Sequence, residues 1–402
     1  MEDKMMPSED ERTLMPDSRF PEFRNAGAWE EKSLDSLLDY QQPTGYLVSD
    51  TNYSDSYKTP VLTAGKTFIL GYTNEQHGIF AENLPVIIFD DFTTATQFVD
   101  FPFKAKSSAM KILQARAGVS IKFMYEAMKM TSYEVGAHER HWISKFAPMS
   151  ILVPELDEQQ KIAECLASFD EVITLESQKL DTLKTHKQGL MQQLFPAEGE
   201  SLPKLRFPEF RGGGEWEEKT LGQVAKYENG KAHEQDISEF GSFIVVNSKF
   251  ISTDGEVKKF TDSAFCRAQK NDVLMVLSDV PNGRAIAKCF LVDSENIYTV
   301  NQRICKLTPY KELSVLLFYV LSRNSYFLAF DDGVKQTNLK KDDVLGCPIF
   351  LPSSLLEQQK IADCLTSIDD LITAQTQRLG ALKNHKKGLM QQLFPAVDEV
   401  KV

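Results

Sequence analysis

The chain has 402 residues, more than one average domain, so two cores with connecting elements are the first expectation. Its 42% hydrophobic and 25% charged residues suit a soluble protein, and no apolar run approaches the ~18 residues of a membrane-spanning helix. A net charge of −12 argues against a protein that coats nucleic acid through bulk charge, because phosphate neutralisation needs Lys and Arg at the contact.

The stretch from Met1 to Asp17 is acidic and polar, with no apolar run after a basic one, so no signal peptide is expected. None of Cys165, Cys266, Cys289, Cys305, Cys347 and Cys364 forms a C-x-x-C pair, which fits reduced thiols in a cytoplasm. An opener follows, Arg19-Phe20-Pro21-Glu22-Phe23-Arg24 and then Trp29-Glu30-Glu31-Lys32, and it returns 187 residues later as Arg206 to Arg211 and Trp216 to Lys219. Next comes a variable stretch. Within it, Ala64-Gly65-Lys66-Thr67 and the apolar run Val86 to Asp91 mimic a phosphate-binding loop and its acidic strand. The mimicry fails: Pro60 stands where G-x-x-x-x-G-K-[ST] requires glycine, and Phe68 to Tyr72 reads as strand where a helix should begin. Residues 101–130 carry six basic side chains against Glu126 alone, which suggests one polyanion-facing side or a solvated helix face. His138-Glu139-Arg140-His141 lacks the i, i+4 histidine spacing of a zinc helix, so no metal is expected there.

Glu158-Gln159-Gln160-Lys161-Ile162-Ala163 recurs 199 residues later as Glu357 to Ala362, and Gly189 to Ala197 recurs at the same offset as Gly388 to Ala396. Both copies predict helix. Ile162, Phe169, Leu183 and Leu190 share one seven-residue spacing, and Leu166, Ile173, Leu180 and Leu194 share the interleaved one. The second copy repeats this with Ile361, Ile368, Leu382 and Leu389, and with Leu365, Ile372, Leu379 and Leu393, the a/d pattern of a coiled-coil seam. Ser354-Leu355-Leu356-Glu357 reads as a capping box, and Phe195-Pro196 and Phe394-Pro395 read as stops. Each helix should run nearly forty residues, on the order of 55 Å. Polar interruptions at Glu176, Lys187, Gln375 and Lys386 suggest an antiparallel pair with Glu176 opposite Lys386, Lys187 opposite Gln375, Leu180 opposite Leu382 and Leu190 opposite Ile372. Gly189 and Gly388 interrupt these helices, for a close backbone approach or through tolerated fraying. The second variable stretch, 223–350, shares little alignable sequence with 36–150. Its Ser278-Asp279-Val280-Pro281 is not the N-P-P-[FY] loop of an amino-methyltransferase, and the chain shows no catalytic constellation.

The E-Q-x-x-I-A segments, the helices ending in G-L-M-Q-Q-L-F-P, and the R-F-P-E-F plus W-E-x-x-x-L openers resemble the specificity subunit of type I restriction-modification enzymes over nearly the whole chain. Lys58 to Lys66 with Ser107 to Met110 resembles one target-recognition domain type, and Asn301-Gln302-Arg303 with Gln336 to Leu339 another. The expected fold is α+β (mixed α/β): two globular target-recognition domains joined by two long antiparallel helices in a pseudo-two-fold circular arrangement. Its expected parts are a tail and opener (1–35), recognition domain 1 (36–152), a central helix (153–197), a linker and second opener (198–222), recognition domain 2 (223–351), a C-terminal helix (352–396) and a tail (397–402). Circularity places Phe20 within about 25 Å of Phe394, since the second opener directly follows the first helix; separately, helices of this length can span half-sites roughly 34 Å apart.

The resemblance implies a non-catalytic, cytoplasmic subunit in which each domain reads half of a split double-stranded DNA site and the helices set the gap. It implies two modification subunits and restriction subunits as partners, no membrane, and no cofactor on this chain; S-adenosylmethionine, ATP and magnesium belong to the partners. Base edges are read by paired donors and acceptors, each good pair discriminating by about 1 to 3 kcal/mol, so polar turn residues are the candidates. In domain 1 these are Lys58, Thr59, Lys66, Thr93, Thr94, Lys104, Lys106, Ser107 and Lys111. In domain 2 they are Asn247, Ser248, Lys249, Ser278, Asn282, Arg284, Asn301, Gln302, Arg303, Lys335, Gln336, Asn338 and Lys340. A coiled-coil adaptor without DNA readout explains the helices equally well, but not two dissimilar polar modules set in identical frames.

Overall fold

The computed structural model describes residues 15–65, 67–130 and 141–395. The chain divides into two units, one formed by 1–178 with 377–402 and the other by 179–376, so both long helices pass from one unit to the other. The first unit runs β1 (Glu30–Ser33), β2 (Leu38–Gln41), β3 (Thr59–Leu62), β4 (Ile69–Thr73), β5 (Val86–Asp90), β6 (Thr96–Val99), β7 (Lys104–Ala105), β8 (Met110–Ala115), α1 (Ile121–Met130), β9 (Ser150–Val153) and the start of the helix α2 (Leu156–Leu194). In the second, β10 (Glu217–Thr220), β11 (Ala225–Asn229), β12 (Ile237–Ser238), β13 (Phe243–Val246), β14 (Phe260–Thr261), β15 (Val273–Val276), β16 (Ser278–Asp279), β17 (Cys289–Leu291), β18 (Tyr298–Val300) and β19 (Ile304–Pro309) precede α3 (Ser314–Leu321). Then come β20 (Thr337–Asn338), β21 (Pro348–Leu351) and the helix α4 (Leu355–Leu393).

The variable stretches, dissimilar in sequence, share one plan. Each opener strand pairs antiparallel with the strand that leads into a long helix, β1 with β9 and β10 with β21. Each unit has a four-stranded antiparallel sheet, β2-β8-β5-β6 and β11-β19-β15-β17, beside a second sheet, of three strands in the first unit and four in the second, containing one parallel pair, β3 with β7 and β13 with β18. Apolar runs such as Val86 to Phe89 and Val273 to Val276 form the central strands and are fully buried, as strands covered on both faces must be. The hairpin β3–β4 occupies the segment that mimicked a phosphate-binding loop, with Thr59 opposite Thr73; strand follows that loop, as the sequence predicts. The cysteines are free and buried or half-buried, and burial pushes the Cys305 and Cys347 thiols up to about 12.

The repeated hexapeptide is a set of anchors. Glu158 accepts a bidentate pair from Arg19, and Glu357 accepts one from Arg206 at 2.7 and 2.8 Å, each arginine also holding two carbonyls of its own opener. Gln159 and Gln358 accept the backbone N–H of Ser120 and Leu313, at the starts of α1 and α3, and each donates to a proline carbonyl ahead of its own helix at 2.8 Å. Lys161 and Lys360 reach Glu22 and Glu209, while Ile162, Ala163, Ile361 and Ala362 enter the core. The expected capping box is half formed: Ser354 Oγ accepts the Glu357 N–H at 3.4 Å, but the Glu357 carboxylate goes to Arg206. A bidentate pair between two charged groups outweighs the single bond from a neutral backbone N–H that would close the box.

Each long helix ends where the next opener begins, as the circular reading requires. In the first unit the Ser18 N–H donates to the Gln392 carbonyl at 2.9 Å, and Phe394 packs on Trp29 with ring centres 6.1 Å apart. Phe20 joins the same core cluster as Phe394. In the second, Leu205 donates to Gln193 at 2.8 Å and Phe195 packs on Trp216 at 6.3 Å. The helices are antiparallel within each unit, and every predicted seam residue is buried or half-buried. Their register differs from the expected one by about a heptad. Lys386 meets Asp170 at 2.7 Å instead of Glu176, Glu176 meets Arg378 at 2.8 Å, and Lys187 meets Asp369 at 2.6 Å in place of Gln375. A one-heptad slide keeps every apolar a and d position on the seam, so the apolar pattern cannot choose between the two registers; the charged partners do.

The expected close backbone approach at Gly189 and Gly388 is not found: a Cβ at either position meets nothing within 4 Å. Both helices continue past these glycines, to Leu194 and Leu393. Gly189→Ala and Gly388→Ala are therefore each expected to stabilise the isolated chain by about 1 kcal/mol, seen as a rise in the thermal midpoint; a fall would show that a neighbour needs the missing side chain. Arg206→Ala leaves Glu357, 2% exposed at its side chain, buried without its cation. A loss of ~3 to 5 kcal/mol is expected, partly recovered by Arg206→Lys, and an unchanged urea midpoint would remove this clamp from the anchors.

Candidate nucleic-acid interface

The second unit gathers several of the polar candidates at one place. β16 pairs with β20, Ser278 opposite Asn338 and Asp279 opposite Thr337. Gln336 Nε2 donates to Ser278 Oγ at 2.7 Å and to Asn338 Oδ1 at 3.4 Å. Asn282 Nδ2 donates to the Gly333 carbonyl at 3.3 Å, tying two loop tips together. Arg303 adjoins this edge, because its carbonyl accepts the Leu277 N–H at 2.9 Å, while Leu277 in turn accepts from Leu339 at 2.8 Å. Ser278 itself is buried, whereas Asn282, Arg284, Arg303, Lys335, Gln336, Asn338 and Lys340 are exposed.

The loops are set by acidic side chains turned onto the backbone. Asp279 accepts from the N–H groups of Val280, Ala285 and Ile286 at 2.8, 2.6 and 3.1 Å. Asp332 accepts from Val334 and Lys335, both at 2.9 Å, and these backbone donors, Lys335 first, hold its carboxyl below the usual range. Of the remaining candidates of this unit, Asn247, Asn301 and Gln302 make local contacts. Asn247 caps the short helix Ser248–Ser252 by accepting the Phe250 N–H at 2.9 Å, which leaves Ser248 half-buried and Lys249 exposed. Asn301 is buried and donates to Glu234, as does the exposed Gln302, at 3.4 and 3.2 Å.

In the first unit the hairpin turn holding Thr93 and Thr94 adjoins the turn holding Ser107, because the Asp91 N–H donates to the Ala109 carbonyl at 3.0 Å. Asp90 accepts the N–H groups of Phe92 and Thr93, and Thr94 sits at φ +58°. Lys106 Nζ donates to the Tyr53 hydroxyl at 3.2 Å. Lys58, exposed, and Thr59, half-buried, stand at the opposite end of β3, apart from this group. Lys66 lies outside the described residues, as do His138, Glu139 and Arg140.

Two expected phosphate contacts are corrected. Lys104 is 3% exposed, bound to Glu75 at 2.9 Å and to the His77 carbonyl at 2.6 Å, and Lys111 is 1% exposed and pairs with Asp91 at 3.1 Å. A buried ammonium needs a buried counter-ion, and both partners are remote in sequence. The basic stretch is further neutralised by Arg116 on Asp39 and Lys129 on Glu126, so it does not form the single polyanion-facing side that its charge count suggests. Sequence reasoning also missed exposed apolar groups on these turns, Phe92, Val280 and Val334; an apolar residue in a strand-rich stretch carries no sign that it faces solvent. Among the described residues, no group of three His, Cys, Asp or Glu side chains gathers as metal ligands, and no helix is long and apolar enough to cross a membrane. The arrangement offers hydrogen-bonded amides beside exposed cations.

Both halves of the chain, residues 27–185 and 213–384, match the family model described as the type I restriction modification DNA specificity domain. The chain is similar to the specificity subunit of a type I restriction enzyme of Escherichia coli, 32% identical over 86% of this chain and 88% of that protein. It is also similar to a type I specificity subunit of Methanocaldococcus jannaschii, 23% identical over 80% of this chain and 81% of that one. Among solved structures, the S subunit of a type I restriction-modification system from M. genitalium superposes with a TM-score of 0.68 at 16% identity, covering 96% of this chain and all of that one. The identity to that structure supports the fold alone, whereas the matches to the family model and to the Escherichia coli protein extend over most of the sequence. With the duplicated frame, the paired helices and the polar loop edges in place, the chain belongs to the family of type I restriction-modification DNA specificity subunits.

Proposed function

We propose that each module reads one half of a bipartite duplex DNA site and that the two helices set the spacing between the halves. The observation that carries this is the contrast between duplicated anchors and unlike loop edges: the same Arg–Glu, Gln–backbone and Phe–Trp contacts hold both modules, while the exposed polar groups differ. A duplicated frame with two different readers suits a split, asymmetric sequence. Helices of 39 residues, at ~1.5 Å per residue, are long enough to separate half-sites a helical turn of about 34 Å apart. The adaptor reading explains the helices but leaves the DNA specificity family, and the polar edge of the second unit, without a purpose.

In this reading the chain itself is not catalytic and works in the cytoplasm. Two modification subunits dock on the frame, and restriction subunits join them. S-adenosylmethionine serves the modification subunits, and ATP with magnesium serves the restriction subunits; the chain supplies the address. Readout falls to the paired donors and acceptors of the loop edges, Asn and Gln on adenine and Arg on guanine, with lysines on phosphates.

Methylome sequencing of the host with and without this chain is expected to show the loss of one bipartite adenine motif. No lost motif despite an active modification partner would favour the adaptor. Arg303→Ala or Gln336→Ala should each weaken the preference for the matched over a scrambled site by about 1 to 3 kcal/mol, measured with the assembled methyltransferase. Unchanged affinity and unchanged preference in both variants would take these two residues out of the readout.

A further inference from the structure

Two valines stand exposed on the loops that carry Asn282 and Gln336: Val280 is 64% and Val334 76% exposed. Water contact on an apolar side chain yields nothing for folding, and the backbone of both loops is held by hydrogen bonds. Asp279 gathers three backbone N–H groups of the first loop, and a Cβ on Gly283 would lie 2.1 Å from that carboxylate, so the loop closes tightly around it. Asp332 gathers two N–H groups of the second, including that of Val334 itself. The Asn282–Gly333 bond ties the tips, and both loops continue into the β16–β20 pair. Valine adds its own stiffness at χ1.

The charge around these valines points to the kind of partner. Asp279, Asp331 and Asp332 turn their oxygens onto backbone N–H groups, while Arg284, Lys335 and Lys340 are exposed. Beside the exposed, N–H-bound Asp332, this edge presents cations, amides and two small apolar groups together, which suits a polyanion that also carries a methyl. Duplex DNA has such a group, the thymine C5-methyl in the major groove, next to the acceptors and donors that amides and guanidinium groups read. A wedge into the minor groove would call for a longer or flatter apolar side chain than valine.

We infer that Val280 and Val334 are specificity-determining residues that recognise thymine methyl groups in the half-site read by the second module. The inference rests on the split-site reading and adds to it a base identity. Val280 and Val334 project from neighbouring loops, so they address one or two thymines of a single half-site, flanked by the pairs that Asn282 and Gln336 read.

The test uses the full-length chain assembled with its modification subunits and duplexes carrying the host's methylated motif. Thymines are replaced one at a time by uracil, which pairs identically and lacks only the C5-methyl. Binding is expected to weaken about fourfold for each methyl contacted, from ~0.8 kcal/mol per buried carbon group, at one or two positions of one half-site. Val280→Ser or Val334→Ser should abolish that thymine-to-uracil difference at its own position and leave the other half-site unaffected. Equal binding of thymine and uracil at every position would overturn the inference, as would an unchanged ratio in both variants. If the valines instead meet a protein subunit, the variants will impair assembly, read by size-exclusion chromatography, with the ratio intact; the inference then fails while the split-site reading stands. A complex that binds the motif no better than a scrambled duplex would defeat the split-site reading itself, and the inference with it.

Discussion

The structure depends on a bidentate ion pair made twice. Arg19 with Glu158, and Arg206 with Glu357, join an opener to the first turn of a long helix, and each glutamate is 2% exposed at its side chain. A carboxylate so deeply buried is costly unless its lone pairs are filled, and the planar guanidinium fills them in one fixed orientation. That orientation propagates. The opener strand must pair with the strand ahead of the helix, and the residues just before each arginine must reach the end of a helix, as the Ser18–Gln392 and Leu205–Gln193 bonds show. The first opener thus docks on the C-terminal helix although nearly the whole chain separates them in sequence.

A second duplicated contact shows how different modules attach to one frame. Lys386 with Asp170, and Lys187 with Asp369, are the same interhelical ion pair in the two units. Each is joined by a side chain from the module's own helix, at the same position along it: Glu126 of α1 reaches Lys386 at 3.4 Å, and Tyr319 of α3 donates to Asp369 at 2.7 Å. One module supplies an anion to the lysine and the other a hydroxyl to the aspartate. An ion pair can accept help at either end, which is a physical reason why unlike modules fit one frame. Burial, with Asp369 beside it, raises the Tyr319 phenol above its ordinary range and keeps it a donor.

Much of the frame was legible in the sequence because the same side chains meet the same partners twice. The heptads of Ile162 to Leu194 and Ile361 to Leu393 mark the helices and their buried seam. The identical F-P ends mark the stops, and the paired openers imply closure. The loop edge was legible only as a set of residue types: Ser278, Asn282, Arg303, Gln336 and Asn338 come together, while Asn247 turns out to be a helix cap and Lys104 and Lys111 the inner halves of buried ion pairs. A lysine in a strand gives no sign of whether Glu75 or Asp91 will be folded against it. Nor could the exposed Val280 be told from the buried Val276 four residues earlier.

By itself the sequence determined the duplicated frame, the helical seam, the stops and the circular order of the parts, since each rests on local periodicity or on repeated identity. Only the tertiary structure decided the register, because a slide of one heptad leaves every apolar seam position apolar and the choice falls to Asp170, Asp369 and Arg378. Only it decided that two unalike stretches share one sheet plan, because a buried strand requires apolar side chains and no particular ones. It alone decided which polar groups face outward, because that depends on partners brought together from distant parts of the chain.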